Sequence, residues 1–309
     1  MAQHIREQLN EKDGFQVWWR LMRPHTLTAS FVPVFVGTML AIIYENNFHI
    51  TLFLAMLIAS LLIQAATNMF NEYYDFKRGL DNEQSVGIGG TIVRDGIAPN
   101  TVKNLAFLFF GIAILLGLYI CFATSWWIAV LGAVSMGVGY FYTGGPFPIA
   151  YTPFGELFSG FFMRTIIMGI GFFIQTGHIT GNVILVSIPV AIFIGTIMLS
   201  NNIRDRVNDA ENGRKTIAIL LGHKGAVIFL ATMLTAAFAF TIIFVIIGIL
   251  PYWSLLTLLA LPKAIGVVKG FIGKSEPIEM MPAMAATGKT NTIYGLLLAL
   301  SLFIESFFI

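Results

Sequence analysis

Nine apolar runs, each about as long as a membrane-spanning helix, constrain this chain more than any other feature of its sequence. About 20 mostly apolar residues are needed for a helix to cross the hydrocarbon core of a bilayer. The runs are bounded by polar or charged residues and cover 26–44, 51–74, 105–122, 125–142, 154–175, 179–199, 225–250, 252–268 and 293–309. Hydrophobic residues make up 57% of the chain and charged residues only 11%, outside the range of soluble domains. The sequence therefore predicts an all-α polytopic membrane protein with nine transmembrane helices around a central cavity.

The basic residues, lysine and arginine, are concentrated in every second connection between these runs. Sixteen of the eighteen basic residues lie before the first run or in every second connection, and only Arg164 and Lys263 lie inside proposed spans. Because basic residues are retained on the cytoplasmic side of short loops, the pattern predicts a cytoplasmic N-terminus. The net charge of +2 gives no reason to expect a nucleic acid partner, and the lipid bilayer is the expected partner of the apolar surface.

The organisation expected from this pattern is one transmembrane domain with polar additions. Residues 1–25 form a predicted cytoplasmic segment, and residues 26–309 form a single nine-helix domain. Two long polar connections, 75–104 and 200–224, are expected to cap this domain on the cytoplasmic side. They hold a large share of the charge, so they are the first place to look for chemistry.

The two polar connections begin with a similar spacing of oxygen-bearing side chains. These are Asn68, Asn71 and Asp75 after the second run, and Asn201, Asp205 and Asp209 after the sixth. If the helices continue through these stretches, steps of three or four residues place each set on one helix face. The repetition predicts a weak internal duplication that brings two acidic helix ends around one cavity.

Two facing clusters of oxygen ligands suit Mg²⁺ and a diphosphate. Mg²⁺ usually binds one or two carboxylates and lets substrate phosphates complete its shell. Nearby basic residues would neutralise the remaining phosphate charge; they are Lys77, Arg78, Arg94, Arg204 and Lys215. The alternative is that the acids are ordinary solvated helix caps. It is disfavoured because they begin inside the last turns of apolar helices, where unpaired charge is costly, and because the pattern occurs twice.

At these residues the sequence resembles the UbiA superfamily of intramembrane prenyltransferases, whose members carry aspartate-rich motifs after helices two and six of a nine-helix fold. The resemblance extends along nearly the whole chain. It is carried by Arg-Pro-His-Thr at 23–26, the acidic stretches at 68–81 and 201–205, the glycine-rich segment at 85–90, Tyr-Thr-Gly-Gly-Pro at 142–146 and Gly-Arg-Lys-Thr at 213–216. One departure is Glu72, where many relatives have aspartate.

The resemblance implies an enzyme of the bacterial cytoplasmic membrane, with its active site at the cytoplasmic face and a polyprenyl diphosphate as donor. Catalysis is expected from Asn71, Asp75, Asp205 and Asp209. The implied Mg²⁺ ligands are these four residues together with Asp81. The implied substrate-binding residues are Asn68, Lys77, Arg78, Arg94, Tyr142, Asn202, Arg204 and Lys215.

The acceptor implied by the resemblance is 1,4-dihydroxy-2-naphthoate, converted to demethylmenaquinol in menaquinone biosynthesis with release of diphosphate and CO₂. Hydroxybenzoate transferases resemble one another in a tyrosine-to-lysine motif after helix four, whereas this chain has no lysine between Lys103 and Lys215. A 4-hydroxybenzoate acceptor remains an alternative. So does a cation-coupled secondary transporter, because intramembrane acids and internal repeats also mark ion pathways. The roles of four further polar residues stay open; these are His25, Glu156, Arg164 and Lys263.

Overall fold

The structure is a computed structural model that describes residues 14–80 and 91–308. Over these two ranges the chain is helical and contains no β-strand. The α-helices are α1 (Phe15–Leu21), α2 (Pro24–Glu45), α3 (Ile50–Lys77), α4 (Thr91–Asp95), α5 (Pro99–Ala123), α6 (Trp127–Phe141), α7 (Gly155–Gly160), α8 (Ile167–Thr176), α9 (Gly181–Glu211), α10 (Ile217–Ile246), α11 (Leu261–Phe271) and α12 (Pro277–Glu305). A π-helical turn, Phe161–Ile166, joins α7 to α8, and 3₁₀ segments occupy Ile149–Tyr151 and Tyr252–Ala260.

Seven helical segments are long and apolar enough to cross a membrane. They are Thr26–Glu45, Ile50–Lys77, Pro99–Ala123, Gly155–Thr176, Gly181–Glu211, Ile217–Ile246 and Tyr252–Phe271. Helix α6 is apolar but has only 15 residues, and α12 has 29 residues with a polar stretch at 289–292. The chain is thus an all-helical integral membrane protein. The count of nine spans and the cytoplasmic N-terminus stay predictions.

Helix α12 begins far earlier than the apolar run predicted at 293–309. Its first half is too polar to register as apolar sequence, yet much of it is buried against neighbouring helices. Thr287 forms a hydroxyl–hydroxyl hydrogen bond with Ser200 at 2.9 Å. Polar residues at helix interfaces in a bilayer satisfy one another in this way. A search for apolar runs detects surfaces that face lipid, and therefore misses a helix that turns polar side chains inward.

The predicted cap connections are more helical than expected. Helix α9 continues to Glu211 and α10 begins at Ile217, so the segment 200–224 is mostly helix, with a break at Gly222 where φ is 67°. In the connection 75–104, α3 continues to Lys77, and α4 and α5 follow the undescribed residues 81–90. In both places the helix continues beyond the end of the apolar run. A helix can carry polar side chains once it has left the hydrocarbon core, so its end is not marked by hydropathy.

Close backbone approach fixes the centre of the bundle. Helix α2 packs between α8 and α12, α3 along α5, and α9 along α10. A Cβ atom at Gly37 would clash with the carbonyl oxygen of Met168, and one at Gly295 would clash with the side chain of Val32. Small residues at membrane helix interfaces permit such contacts. On the α9–α12 side, Phe193 and Tyr294 stack with ring centroids 4.2 Å apart in the largest buried cluster.

Arg164, left open by the sequence, is a structural link between three helical segments. It lies in the π-helical turn and is fully buried. Its guanidinium donates to the carbonyl oxygen of Thr28 at 3.3 Å and to Oδ1 of Asn291 at 2.8 Å. A buried arginine needs such partners, because leaving a charge unpaired in a bilayer is costly. These bonds join α2 and α12 to the π-helical turn.

Candidate active site

The two acidic helix ends predicted from the sequence lie at the same end of the bundle. Helices α3 and α9 continue as helix through Asp75 and Asp209, as their four-residue spacing required. The guanidinium of Arg214 contacts both carboxylates, at 3.0 Å from Oδ1 of Asp75 and 3.2 Å from Oδ1 of Asp209. We call this region, with Asp75, Asp205 and Asp209, the acidic end of the bundle. One cation therefore bridges the two clusters.

Arg214 is the central basic residue of this region, although the sequence predicted a binding role only for its neighbour Lys215. Gly213 ends α9 with φ at 79°, and the backbone N–H of Arg214 donates to the carbonyl oxygen of Asp209 at 2.9 Å. A glycine in the left-handed conformation commonly ends a helix and reverses the chain. Burial would lower the pKa of the Arg214 guanidinium, but Asp75 and Asp209 outweigh it and raise the pKa, so the group stays charged.

Asp205 is held by its neighbour in sequence. Arg204 donates from Nε at 2.7 Å and from Nη2 at 2.5 Å to the two carboxylate oxygens. The buried Arg204 also lies 2.6 Å from the sulfur of Met284 and 3.2 Å from that of Met281 on α12. A bidentate arginine–carboxylate pair has a defined geometry. It orients Asp205 and attaches the start of α12 to the acidic end.

The three asparagines proposed at the site each make a specific contact. Nδ2 of Asn68 donates to Oγ1 of Thr26 at 2.8 Å and to the carbonyl oxygen of Met22 at 2.9 Å. The hydroxyl of Thr143 donates to Oδ1 of Asn71 at 2.7 Å. The third, Asn202, donates from Nδ2 to Oε1 of Glu156 at 2.9 Å, and Oε2 of Glu156 is buried without a hydrogen-bond partner.

The basic residues proposed to bind phosphate lie in different environments. Lys77 and Lys215 are exposed, and Arg94 is half-buried. Arg78 is engaged by protein: it donates to the carbonyl oxygens of Thr143 and Gly145, the latter at 2.8 Å. Its phosphate-binding role, like that of the others, stays a prediction. Asp81 lies outside the described residues, as does the glycine-rich segment 85–90.

Glu72 anchors the segment that follows the undescribed residues. It is fully buried, and Oε1 accepts hydrogen bonds from the hydroxyl of Thr91 and, at 3.0 Å, from the backbone N–H of Ile92. Arg23 lies 3.7 Å from its other oxygen. Arg23 has φ at 52°, a conformation that is rare outside glycine and that clusters at functional sites. Arg23 is a second basic residue near the site, and the sequence analysis assigned it no role in binding.

An apolar cavity lies beneath the acidic end. This main cavity has a volume of about 570 Å³. Arg23, Asn71, Tyr142 and Asn201 line it near the acidic end. Most of the remaining lining is apolar and extends to Cys121, near the opposite end of α5. A polar mouth above an apolar chamber suits an amphiphile with a charged head and a hydrocarbon tail.

The acidic end has the chemistry of a divalent-cation site. Its donors are carboxylate and amide oxygens, the hard ligands that Mg²⁺ prefers. Arg214 already places one positive charge between Asp75 and Asp209. In the part of the chain that the structure describes, no group of three acidic, histidine or cysteine side chains is close enough to coordinate one metal ion. The residues fit a cation shared between the two helix ends.

A helical membrane bundle with this acidic end above an apolar chamber suits a reaction on an amphiphile with a charged head. The chain belongs to the UbiA prenyltransferase family, whose model matches residues 30–283. It is 55% identical over 292 residues to the 1,4-dihydroxy-2-naphthoate octaprenyltransferase of Bacillus subtilis (strain 168), covering 94% of each chain.

Solved structures share the fold. A UbiA homolog from Aeropyrum pernix K1 in the apo state matches with a TM-score of 0.69 and 17% identity over 91% of this chain and 98% of that one. A UbiA homolog from Archaeoglobus fulgidus bound to GPP and Mg²⁺ matches with a TM-score of 0.61 and 14% identity over 92% and 99%. The transporter hypothesis finds no support in these comparisons.

Proposed function

We propose that this protein transfers a polyprenyl group from polyprenyl diphosphate to 1,4-dihydroxy-2-naphthoate. The products are diphosphate, CO₂ and demethylmenaquinol, an intermediate of menaquinone biosynthesis. The observation that carries the assignment is the 55% identity to an enzyme of that activity, over nearly the full length of both chains. The alternative acceptor, 4-hydroxybenzoate, is not favoured by any contact among the described residues.

The acidic end would hold Mg²⁺ through Asn71, Asp75, Asp205 and Asp209, and Asp81 stays a proposed fifth ligand. When bound, Mg²⁺ neutralises phosphate oxygens and so makes diphosphate a better leaving group. Support comes from the convergence of Asp75 and Asp209 on one cation. The homolog from Archaeoglobus fulgidus is bound to GPP and Mg²⁺, which supports Mg²⁺ as the cation but does not identify its ligands here.

The chain's own residues would bind and orient the donor. Arg214 and Arg23 lie where they can hold the diphosphate after the allylic C–O bond breaks and the electron pair leaves with it. The main cavity would take the polyprenyl tail, and burying each CH₂ unit of the tail contributes about 0.8 kcal/mol. The proposed substrate contacts of Asn68, Lys77 and the other basic residues would also serve to bind the donor.

The acceptor ring would attack the allylic carbon from the mouth of the main cavity. A new C–C bond forms at the ring carbon that carries the carboxylate. That carboxylate leaves as CO₂, and its bonding electrons restore the aromatic ring. Tyr142, which lines the cavity near the acidic end, can present its ring face to the positive charge that develops on the allylic carbon.

The proposed setting is the bacterial cytoplasmic membrane, with the N-terminus and the acidic end at the cytoplasmic face. Nine spans would be completed by α6 and α12 beside the seven apolar segments. In this arrangement residues 1–25 lie outside the bilayer, and 26–309 form one transmembrane domain. The alternation of basic residues along the sequence supports this orientation.

The test is product formation by purified protein given polyprenyl diphosphate, Mg²⁺ and either dihydroxynaphthoate or hydroxybenzoate. We expect a decarboxylated prenyl-naphthol by mass spectrometry, lost on addition of EDTA and in Asp75→Ala and Asp205→Ala. Prenylated hydroxybenzoate would keep the chemistry and change the pathway. A folded protein that turns over neither acceptor would refute the proposal.

A further inference from the structure

A second cavity beside the active site carries two lysines that the chemistry described so far does not use. It has a volume of about 450 Å³, within the usual range for small-molecule sites. Lys263 of α11 and Lys289 of α12 line it. Thr26, Ile197 and Asn201 line both this cavity and the main cavity, so the two adjoin.

Both lysines lie inside long helical segments of the bundle. Lys263 is near the middle of the apolar segment Tyr252–Phe271. Lys289 follows Met284, which contacts Arg204 at the acidic end, by five residues, or about 7.5 Å along the helix at 1.5 Å per residue. A lysine near a helix end can extend to the headgroups, but a charged side chain within a membrane bundle usually faces a cavity and marks a functional site.

The protein supplies no anion to compensate these charges within the described ranges. Both side chains are exposed at the bundle surface, where the cavity opens between helices. Neither ammonium takes part in the salt bridges formed by the described residues. The described lining of the cavity contains no aspartate or glutamate. Two lysines that line one cavity without a carboxylate partner make it suited to an anionic ligand.

The position of the cavity beside the active site indicates which anionic ligand it binds. Arg214 and Arg204 serve the acidic end, and the donor's tail has the main cavity. The acceptor is a flat amphiphile with one carboxylate, and it must reach the allylic carbon close to the diphosphate. Asn201 lies one turn before Asp205 on α9 and borders both cavities, so a ligand in the second cavity adjoins that position.

We propose that Lys263 and Lys289 bind the carboxylate of the aromatic acceptor and admit it to the active site from the side of the bundle. The inference rests on the proposed function. It identifies a subsite in which the acceptor carboxylate pairs with lysine before the ring meets the donor. Specificity for aromatic acids over neutral naphthols then follows from the two ammonium groups.

The test compares steady-state kinetics of Lys263→Gln and Lys289→Gln with wild type, using the full chain in phosphatidylcholine vesicles. We expect KM for dihydroxynaphthoate to rise at least about tenfold in each variant, as for loss of a charge-assisted contact, while KM for the polyprenyl diphosphate stays unchanged. Lys263→Arg retains the charge and should restore most of the affinity. The matched control is Lys269→Gln, an exposed lysine on the same helix outside the cavity.

A second readout separates carboxylate binding from general damage to the fold. Inhibition by 1-hydroxy-2-naphthoate should weaken in both glutamine variants, while inhibition by the neutral 1-hydroxy-2-naphthamide should not. Equal weakening for acid and amide would overturn the inference.

The remaining outcomes separate the inference from the proposed function. If wild type prenylates dihydroxynaphthoate and both variants keep its KM, the inference fails and the function stands. If the kinetics of the variants differ from those of wild type only when the vesicles contain phosphatidylglycerol, the lysines bind a lipid headgroup and the inference is wrong. If wild type fails to prenylate the naphthoate, the function and the inference fall together.

Discussion

Removing Arg214 should destabilise the protein and make its stability depend on divalent metal. In Arg214→Gln, Asp75 and Asp209 lose the guanidinium that lies 3.0 and 3.2 Å away. Breaking a buried ion pair by removing one partner costs about 3–5 kcal/mol. The Asp75 side chain is 21% exposed, so we take the lower end, about 3 kcal/mol, to allow for screening by solvent.

This loss converts into a measurable change in Tm. At about 2–4 °C per kcal/mol for a chain of this size class, Arg214→Gln should melt about 6–12 °C below wild type in the absence of metal. Mg²⁺ with inorganic diphosphate should recover more of the Tm in the variant than in wild type, because the two carboxylates then regain a cation. The assay is thermal unfolding of detergent-purified protein, with and without Mg²⁺ and diphosphate.

Arg206→Gln is the matched control, because it removes one positive charge from the same end of α9. Arg206 forms no ion pair among the described residues. Its Tm should stay close to wild type, as expected for a site without a specific partner. Equal Tm values for Arg214→Gln and wild type without metal would refute the reasoning. So would an equal gain from Mg²⁺ in both proteins.

Three further perturbations address the acids, the anchor and the main cavity. Asp75→Asn and Asp209→Asn should each lower diphosphate release by at least about 100-fold. The control, Glu211→Gln, is exposed at the same end and should not lower it. Normal release by either asparagine variant would remove that acid from the mechanism. Glu72→Ala should destabilise the docking of α4 by about 1–3 kcal/mol, seen as faster proteolysis there, because buried donors lose their acceptor; unchanged cleavage would contradict the anchoring role. Cys121→Phe should lower turnover with long polyprenyl diphosphates more than with geranyl diphosphate, since overpacking shortens the cavity; equal loss with both would count against this assignment of the tail.

Much of the site could be anticipated because its spacing is local. The helical period alone places Asp75 with Asn71 on one face of α3 and Asp209 with Asp205 on one face of α9. Both helices continue through these residues, as that period required. Polar oxygen ligands at the ends of apolar helices can be recognised from the sequence alone. The same holds for the class of protein, because a bilayer demands long apolar helices whatever their arrangement.

Arg214 could not be assigned because its role depends on contacts between distant residues. It is adjacent to Lys215 in sequence, but Lys215 is exposed while Arg214 reaches Asp75 on another helix. Likewise, the first half of α12 is too polar to read as membrane sequence, and only its packing against α9 explains why it is helical and buried. No local period encodes which partner a charged side chain will meet.

The sequence by itself therefore determined a helical membrane protein with two acidic helix ends, since hydropathy and helical spacing act over a few residues. The tertiary structure decided which cations face those acids, that the chamber beneath them is apolar, and that Lys263 and Lys289 share a second cavity. The second cavity lies where α2, α9, α11 and α12 meet, and the pairing of Arg214 with Asp75 joins the end of α9 to α3. The physical basis of these features is the need to pair charges and fill space between helices that are remote in the chain.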